Sequence, residues 1–403
     1  MSRITSRCLL GMIAVALVPC TADAARRITV SAGDVDRRGS LASVERPPGV
    51  GAPLWALKSV GDGSKDHFGF AQAGPDGRLW FAVHDLEAGE SRTYELVGVL
   101  ADAGEVTVSP KSGGLDVAFA GRPMLRYQGD KSALPEGYDA SLQRGGYLHP
   151  VVTPAGVPVT DDYPPNHKHH HGVWSPWTKT VFEGRSPDFW NMGDKKGTVE
   201  AVSFGDPWSG PVAGGFRAKH RMVDLTAPDG PKPAIDEQWD VTAYVSMGDK
   251  PAHVFDLVIT QTTASDSPLT LPKYHYGGLG FRGHRQWDGK PNCRFLTSEG
   301  KTRENGNETR AKWCHVGGLV DGKPAGVAIL CHPDNFRFPQ PVRLHPDEPF
   351  FCFAPSQLGD WNIEPGKPYV AKYRFVVADG EPDAAEIERL WRDYAEPVKV
   401  TVE

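Results

Sequence analysis

The chain has 403 residues, with 44 Lys and Arg against 50 Asp and Glu and a formal charge of −6. That balance gives no electrostatic reason to expect nucleic acid or an anionic membrane as a partner. Glycine (45) and proline (35) are frequent, which suits many short strands joined by turns, and they are not concentrated enough in one stretch to argue for disorder.

Residues 1–24 read as an export signal. Arg3 and Arg7 give a positive start, Cys8 to Val18 is an apolar run, and Ala22-Asp23-Ala24 supplies small residues before a cleavage site after Ala24. The run is too short to span a bilayer, and Pro19 weakens a lipoprotein reading at Cys20. No later segment approaches the ~20 apolar residues of a membrane helix. The expected product is a secreted or periplasmic protein with no membrane partner once the signal is removed.

Residues 25–120 predict a β-rich N-terminal region. Arg27 to Val30 alternates, Arg78 to Val83 is a compact strand run, and Gly74-Pro75-Asp76-Gly77 marks a turn. Residues 121–215 are poor in regular periodicity and rich in Pro, Gly, Trp and His, the composition of a long functional segment. Strand signals return afterwards. Phe255, Leu257 and Ile259 share one face of a run, Val327 to Leu330 and Phe350 to Phe353 read as buried strands, and Tyr373, Phe375 and Val377 alternate. One helix is predicted: Asp383 caps it with Glu386 three residues on, Ile387, Leu390, Trp391 and Tyr394 form its apolar stripe, and Pro397 ends it. Strands with one terminal helix predict an all-β fold, a large antiparallel sandwich over 121–397 with a tail at 398–403. Cys293, Cys314, Cys331 and Cys352 permit two disulfides in an oxidising compartment, and equally fit free buried thiols.

The chemistry concentrates in Asn166-His167-Lys168-His169-His170-His171-Gly172. Imidazole is the commonest metal ligand and the usual general base near pH 7. A catalytic metal wants three protein ligands and an open position. The candidate ligands are His167, His169 and His170, the candidate ion is divalent with zinc first, and His149 and His275 are the acid/base candidates. Non-metal histidines and a solvated polar loop are the other readings. Trp174, Trp177 and Trp190 follow closely and would suit a sugar ring. Tyr276 to Gly283 superficially matches a dinucleotide loop, but no apolar helix follows, so no nucleotide cofactor is expected. Its glycines instead suggest that Arg282 approaches a ligand and stabilises an oxyanion. Asn335 and Arg337, in the Pro-bounded run His332 to Pro339, are candidates for substrate contact or structural hydrogen bonding.

Tyr147-Leu148-His149-Pro150, Asp161-Asp162-x-Pro164, Asn166-His167-x-His169-His170-x-Gly172 and His332-Pro333-x-Asn335-x-Arg337-x-Pro339 together resemble a bacterial family of largely unknown function labelled PmoA-like. The resemblance covers roughly residues 50 to 397. That family usually has Asp at the place of Asn166 and Arg at the place of His171. The likeness implies a galactose-mutarotase-like supersandwich. The label's methane chemistry belongs to a multi-span membrane protein, which this chain does not match. The expectation is a carbohydrate-active enzyme performing epimerisation, elimination or hydrolysis on a small-molecule or oligosaccharide ligand. The alternatives are a non-catalytic glycan-binding protein and a metal-dependent oxidase or oxygenase.

Overall fold

The computed structural model describes residues 16–17, 27–46, 54–60, 68–100, 105–247 and 251–403. Most of the expected export signal lies outside these residues. Among them no helix is long and apolar enough to cross a membrane.

The fold is all-β, built of large antiparallel sheets with a single α-helix among the described residues. The N-terminal sheet runs, edge to edge, through Lys399–Val402, Arg27–Ser31, Ser91–Leu100, Leu54–Val60, Phe68–Ala73, Arg78–Val83 and Ser40–Glu45. It has its own core, including Ile28, Leu57, Phe81 and Leu96. The expected C-terminal tail is therefore an edge strand: Val400 pairs with Val30 and Val402 with Ile28. Sequence reading missed it because four residues carry too short a pattern to reveal a partner some 370 positions away.

Two further sheets form the main sandwich. One runs through Val342–Leu344, Phe350–Phe353, Gly280–Arg282, Val173–Trp174, Tyr147–Val151, Arg122–Gln128, Gly114–Phe119 and Val106–Lys111. The other runs through Gly197–Trp208, Gly214–Asp224, Lys232–Met247, Pro251–Thr263, Tyr369–Asp379, Lys323–Cys331, Trp313–Val320 and Cys293–Thr297. Their facing side chains make one core, with Val117, Leu148, Phe281 and Phe351 from the first sheet against Trp239, Leu257, Ile329 and Phe375 from the second. The expected boundary at residue 120 falls too late, because Val106 already belongs to this core.

Asp383 caps the helix Ala384–Ala395 by accepting from the N–H groups of Ala385 and Glu386. Glu386 does not complete a reciprocal box; it pairs with Arg389 instead. Ile387 and Leu390 pack on the outer face of the second sheet with Tyr244, Val254 and Val376. The helix also ties the two bodies together through the buried ion pair of Arg37 with Asp393, at 2.5 Å.

The first sheet positions the site because both its faces are covered. Strand alternation sends Leu148, Val173, Phe351 and Phe353 into the main core. It sends Tyr147, Trp174, Phe350 and Cys352 to the opposite face, where they join Trp190 in a separate cluster. Loops carrying the histidines close over that second face. The four cysteines are free and buried, so the disulfide option is not realised.

Candidate functional site

The histidine segment is a compact turn. Tyr163 N–H donates to the His170 carbonyl, His167 N–H to Pro164 O, and His170 N–H to His167 O at 2.8 Å. A three-residue return of this kind places residues i and i+3 side by side, so His167 stacks on His170 with ring centroids 4.6 Å apart and planes within 18°. His169 meets His170 edge-on at 4.8 Å and His167 edge-on at 5.8 Å.

Buried anchors hold the turn. Asp161 accepts two hydrogen bonds from Arg285, each 3.0 Å. His171, fully buried, lies with Nδ1 2.7 Å from Asp162 Oδ1, and Tyr147 Oη is 2.7 Å from Asp162 Oδ2. Burial pushes the Asp162 carboxyl up, but its His171 contacts outweigh that and hold it below its usual value. As an ionised carboxylate only accepts, His171 Nδ1 carries the proton. Gly172 lets the strands close: a Cβ there would meet Leu148 O at 2.2 Å.

The turn forms one wall of a cavity of about 230 Å³. His167, His169 and His170 line it together with His275 and with His345, whose ring centroid is 5.5 Å from that of His167. Trp190, Phe350 and Tyr276 supply aromatic wall, and Asn191 and Arg343 supply polar groups. Burial lowers the pKa of His169 and of His345 to about 4 each. It also lowers that of His170 well below its ordinary value, and that of His275, where Arg343 adds to the effect. These rings are neutral at pH 7.

His167, His345 and Glu348 offer ligand atoms within 4.8 Å of one another. His167 Nδ1 lies 2.7 Å from Glu348 Oε2. Two imidazoles and a carboxylate are an apt donor set for a divalent ion. Against it, His345 Nδ1 accepts weakly from the N–H groups of Asp347 and Glu348 at 3.3 and 3.1 Å, which leaves the proton on Nε2 in the neutral ring. Ligation through Nε2 would require that proton to leave. Burial raises the Glu348 carboxyl, but the His167 and Arg282 contacts prevail and hold it at about 2.

Several expected site residues lie elsewhere. His169 and His170 line the cavity but stand outside the three-donor group. Arg282 is fully buried behind the wall, with Nη1 2.6 Å from Glu348 and Nη2 2.5 Å from Asp288 and 3.1 Å from Asn166. It organises the wall and does not face a ligand. Gly277 and Gly278 do take positive φ, +124° and +94°, but they turn the chain into the strand Gly280–Arg282. No helix long enough to cradle a dinucleotide follows that strand.

His149 bonds Thr160 Oγ1 at 2.9 Å and is not among the cavity-lining residues. Trp174 and Trp177 are buried, and Trp177 Nε1 donates to Gln261, so neither offers a face to a sugar; Trp190 contributes only the part that reaches the wall. Asn335 brackets the Lys372 backbone, and Arg337 donates to the carbonyls of Pro355, Gly359 and Asp360. Both are structural.

Sequence reasoning missed Arg343, His345 and Glu348. The signal was His345-Pro346-Asp347-Glu348-Pro349, a proline-bounded loop holding an imidazole and two carboxylates between the short strands Val342–Leu344 and Phe350–Phe353.

Residues 114–392 match the model of a protein family described as a family of unknown function, DUF6807. No curated protein matches the chain.

Proposed function

We propose that this chain, which belongs to the DUF6807 family of unknown function, is an exported carbohydrate-active enzyme that moves protons on a sugar derivative. The reaction class is epimerisation, elimination or hydrolysis. One observation carries this reading: imidazoles from three distant segments, 167–170, 275 and 345, converge on one cavity with aromatic walls, and burial favours the neutral form of His169, His170, His275 and His345. A neutral imidazole offers both a lone pair to accept a proton and an N–H to donate to a developing oxyanion. A ring with a pKa near 4 is a weak base, so His169 suits the donor role. His275, partly exposed, suits proton acceptance. Half-buried Tyr276 gives the apolar contact that a sugar ring needs, backed by the buried Trp190 and Phe350. The cavity volume suits one ring and not an oligosaccharide buried whole. The supersandwich likeness to galactose mutarotases and the PmoA-like resemblance belong to the same reading, without methane chemistry.

Incubation with a panel of mono- and disaccharides, followed by mass spectrometry and NMR, tests it. His275→Ala is expected to lower turnover about 10²- to 10⁴-fold, with the far-UV spectrum unchanged. Saturable binding without any change in the sugar would make the protein a glycan-binding module. Undiminished turnover in His275→Ala combined with His169→Ala would remove the catalytic assignment.

The donor group of His167, His345 and Glu348 favours a second element in the same site. A divalent ion, zinc first, would be held there and would supply Lewis acidity to a bound oxygen. Elemental analysis of untagged protein after zinc reloading is expected to find about one ion per chain, and substantially less in His345→Ala. Zinc content unaffected by His345→Ala would take the ion away from this place. Copper or iron with oxygen consumption would favour the oxygenase alternative.

A further inference from the structure

We infer that the ligand of this cavity is a carboxylated sugar, a uronic or aldonic acid, whose carboxylate sits against Arg343; this rests on the reading of the cavity as a sugar site. Strand alternation determines where Arg343 points. Val342 and Leu344 are buried in the main core, while Arg343 pairs in register with Cys352 on the opposite face, at the cavity wall.

The guanidinium there is half-buried and makes no ion pair among the described residues. Its one hydrogen bond, Nη1 to Asn307 Oδ1 at 3.2 Å, fixes its position without neutralising it. The neighbouring arginines differ. Arg282 has two carboxylates, Arg285 has Asp161, and Arg303 donates to the carbonyls of His345, Glu348 and Cys293.

Among the described residues no acidic side chain lines the cavity. Two of the acids behind its walls, Glu348 and Asp188, are already engaged. Glu348 is held by Arg282, and Asp188 accepts from Thr178 and from the backbone or side chain of Trp190 and Asn191. Glu308 acts electrostatically on His275 but forms no ion pair with Arg343. Among the lining residues Arg343 is the one fixed positive charge, set among imidazole rings. A partly desolvated cation without a counter-charge is unfavourable until an anion arrives. A planar guanidinium matches a carboxylate through two parallel hydrogen bonds, and half-buried Tyr276, backed by Trp190 and Phe350, takes the ring that carries it.

Matched pairs test this by calorimetric titration: glucuronate with glucose, galacturonate with galactose, gluconate with sorbitol. The acid of at least one pair is expected to bind about tenfold or more tightly than its neutral partner. In Arg343→Gln that preference is expected to shrink below about threefold, and Arg343→Lys to restore part of it. Acetate and inorganic phosphate are expected to compete only weakly, since they leave the aromatic wall empty. Equal binding of acid and neutral sugars, a preference that survives Arg343→Gln, or phosphate binding more tightly than every sugar acid would each overturn the inference. If neutral sugars bind as well as acids and His169→Ala weakens both, the sugar-site reading stands and the carboxylate assignment alone falls. If no member of any pair binds, both fall.

Discussion

Acidification from pH 6.5 to pH 4 is expected to unfold this protein cooperatively, with uptake of several protons. Burial lowers the pKa of His169, His315 and His345 from 6.5 to about 4, and lowers those of His149, His170, His171 and His253 as well. A folded-state pKa below the unfolded one means that stability is complete above pH 6.5. As the pH falls below that value, the unfolded chain protonates its free imidazoles and gains free energy. The loss continues until the folded rings protonate near pH 4. A shift of this size on the buried His315 is worth roughly 3 kcal/mol. Those on the less buried His169 and His345 count for less because solvent screens them, and together they are a large part of the ~5–15 kcal/mol that holds a typical domain folded. Urea titrations between pH 7.5 and 4.5 would show the midpoint falling steadily. His315 is the clean probe, since burial alone shifts it and it lies outside the candidate cavity. His315→Gln is expected to flatten the slope by up to about one proton. A midpoint independent of pH over this range would mean that the rings are not held neutral by the fold.

Replacing Arg282 by Met is expected to cost about 3–5 kcal/mol of stability, because it leaves two carboxylates facing a site built for a cation. The guanidinium is fully buried, whereas Glu348 and Asp288 expose 12% and 30% of their side chains. Asp288 can turn partly to water, but Glu348 cannot do so without leaving His167. The strand also carries the loop: Arg282 N–H donates to Gly172 O, and Asp161 N–H donates to Arg282 O. The loss should therefore appear in urea unfolding, measured without any ligand. Arg343→Met, at the cavity wall, is expected to change stability by less than about 1 kcal/mol. Should Arg282→Met keep wild-type stability and lose only turnover, Arg282 would have to reach the ligand directly. The Asn166 amide fits the same picture. It accepts from Arg282, where the Asp expected in the similar family would bring a third carboxylate to one guanidinium.

Much of the architecture could be read along the chain. The alternation of Phe255, Leu257 and Ile259 predicts the inner face of Pro251–Thr263, and Asp383 with the stripe from Ile387 to Tyr394 predicts the helix. Both patterns are local, set by the geometry of one strand or one helix. The histidine turn was legible as a cluster because its members are consecutive. The tryptophans misled: their density in an irregular segment suggested exposed platforms. Alternation across Val173–Trp174 instead sends Val173 to one face of the sheet and Trp174 to the other, and both faces are covered.

The sequence by itself determined the strand-rich class, the helix with its cap, and the presence of an imidazole-rich turn, because each depends on residues within one or two turns of one another. Only the tertiary structure decided which rings meet. His167 lies beside His345 and Glu348 because the sheet places Gly280–Arg282 between Val173–Trp174 and Phe350–Phe353, strands separated by up to about 180 positions in the chain. It likewise turned Arg282 inward and Arg343 toward the cavity. A side chain's facing in a covered sheet depends on register with its neighbours, and register between distant strands is a property of the packed core, not of any local run of residues.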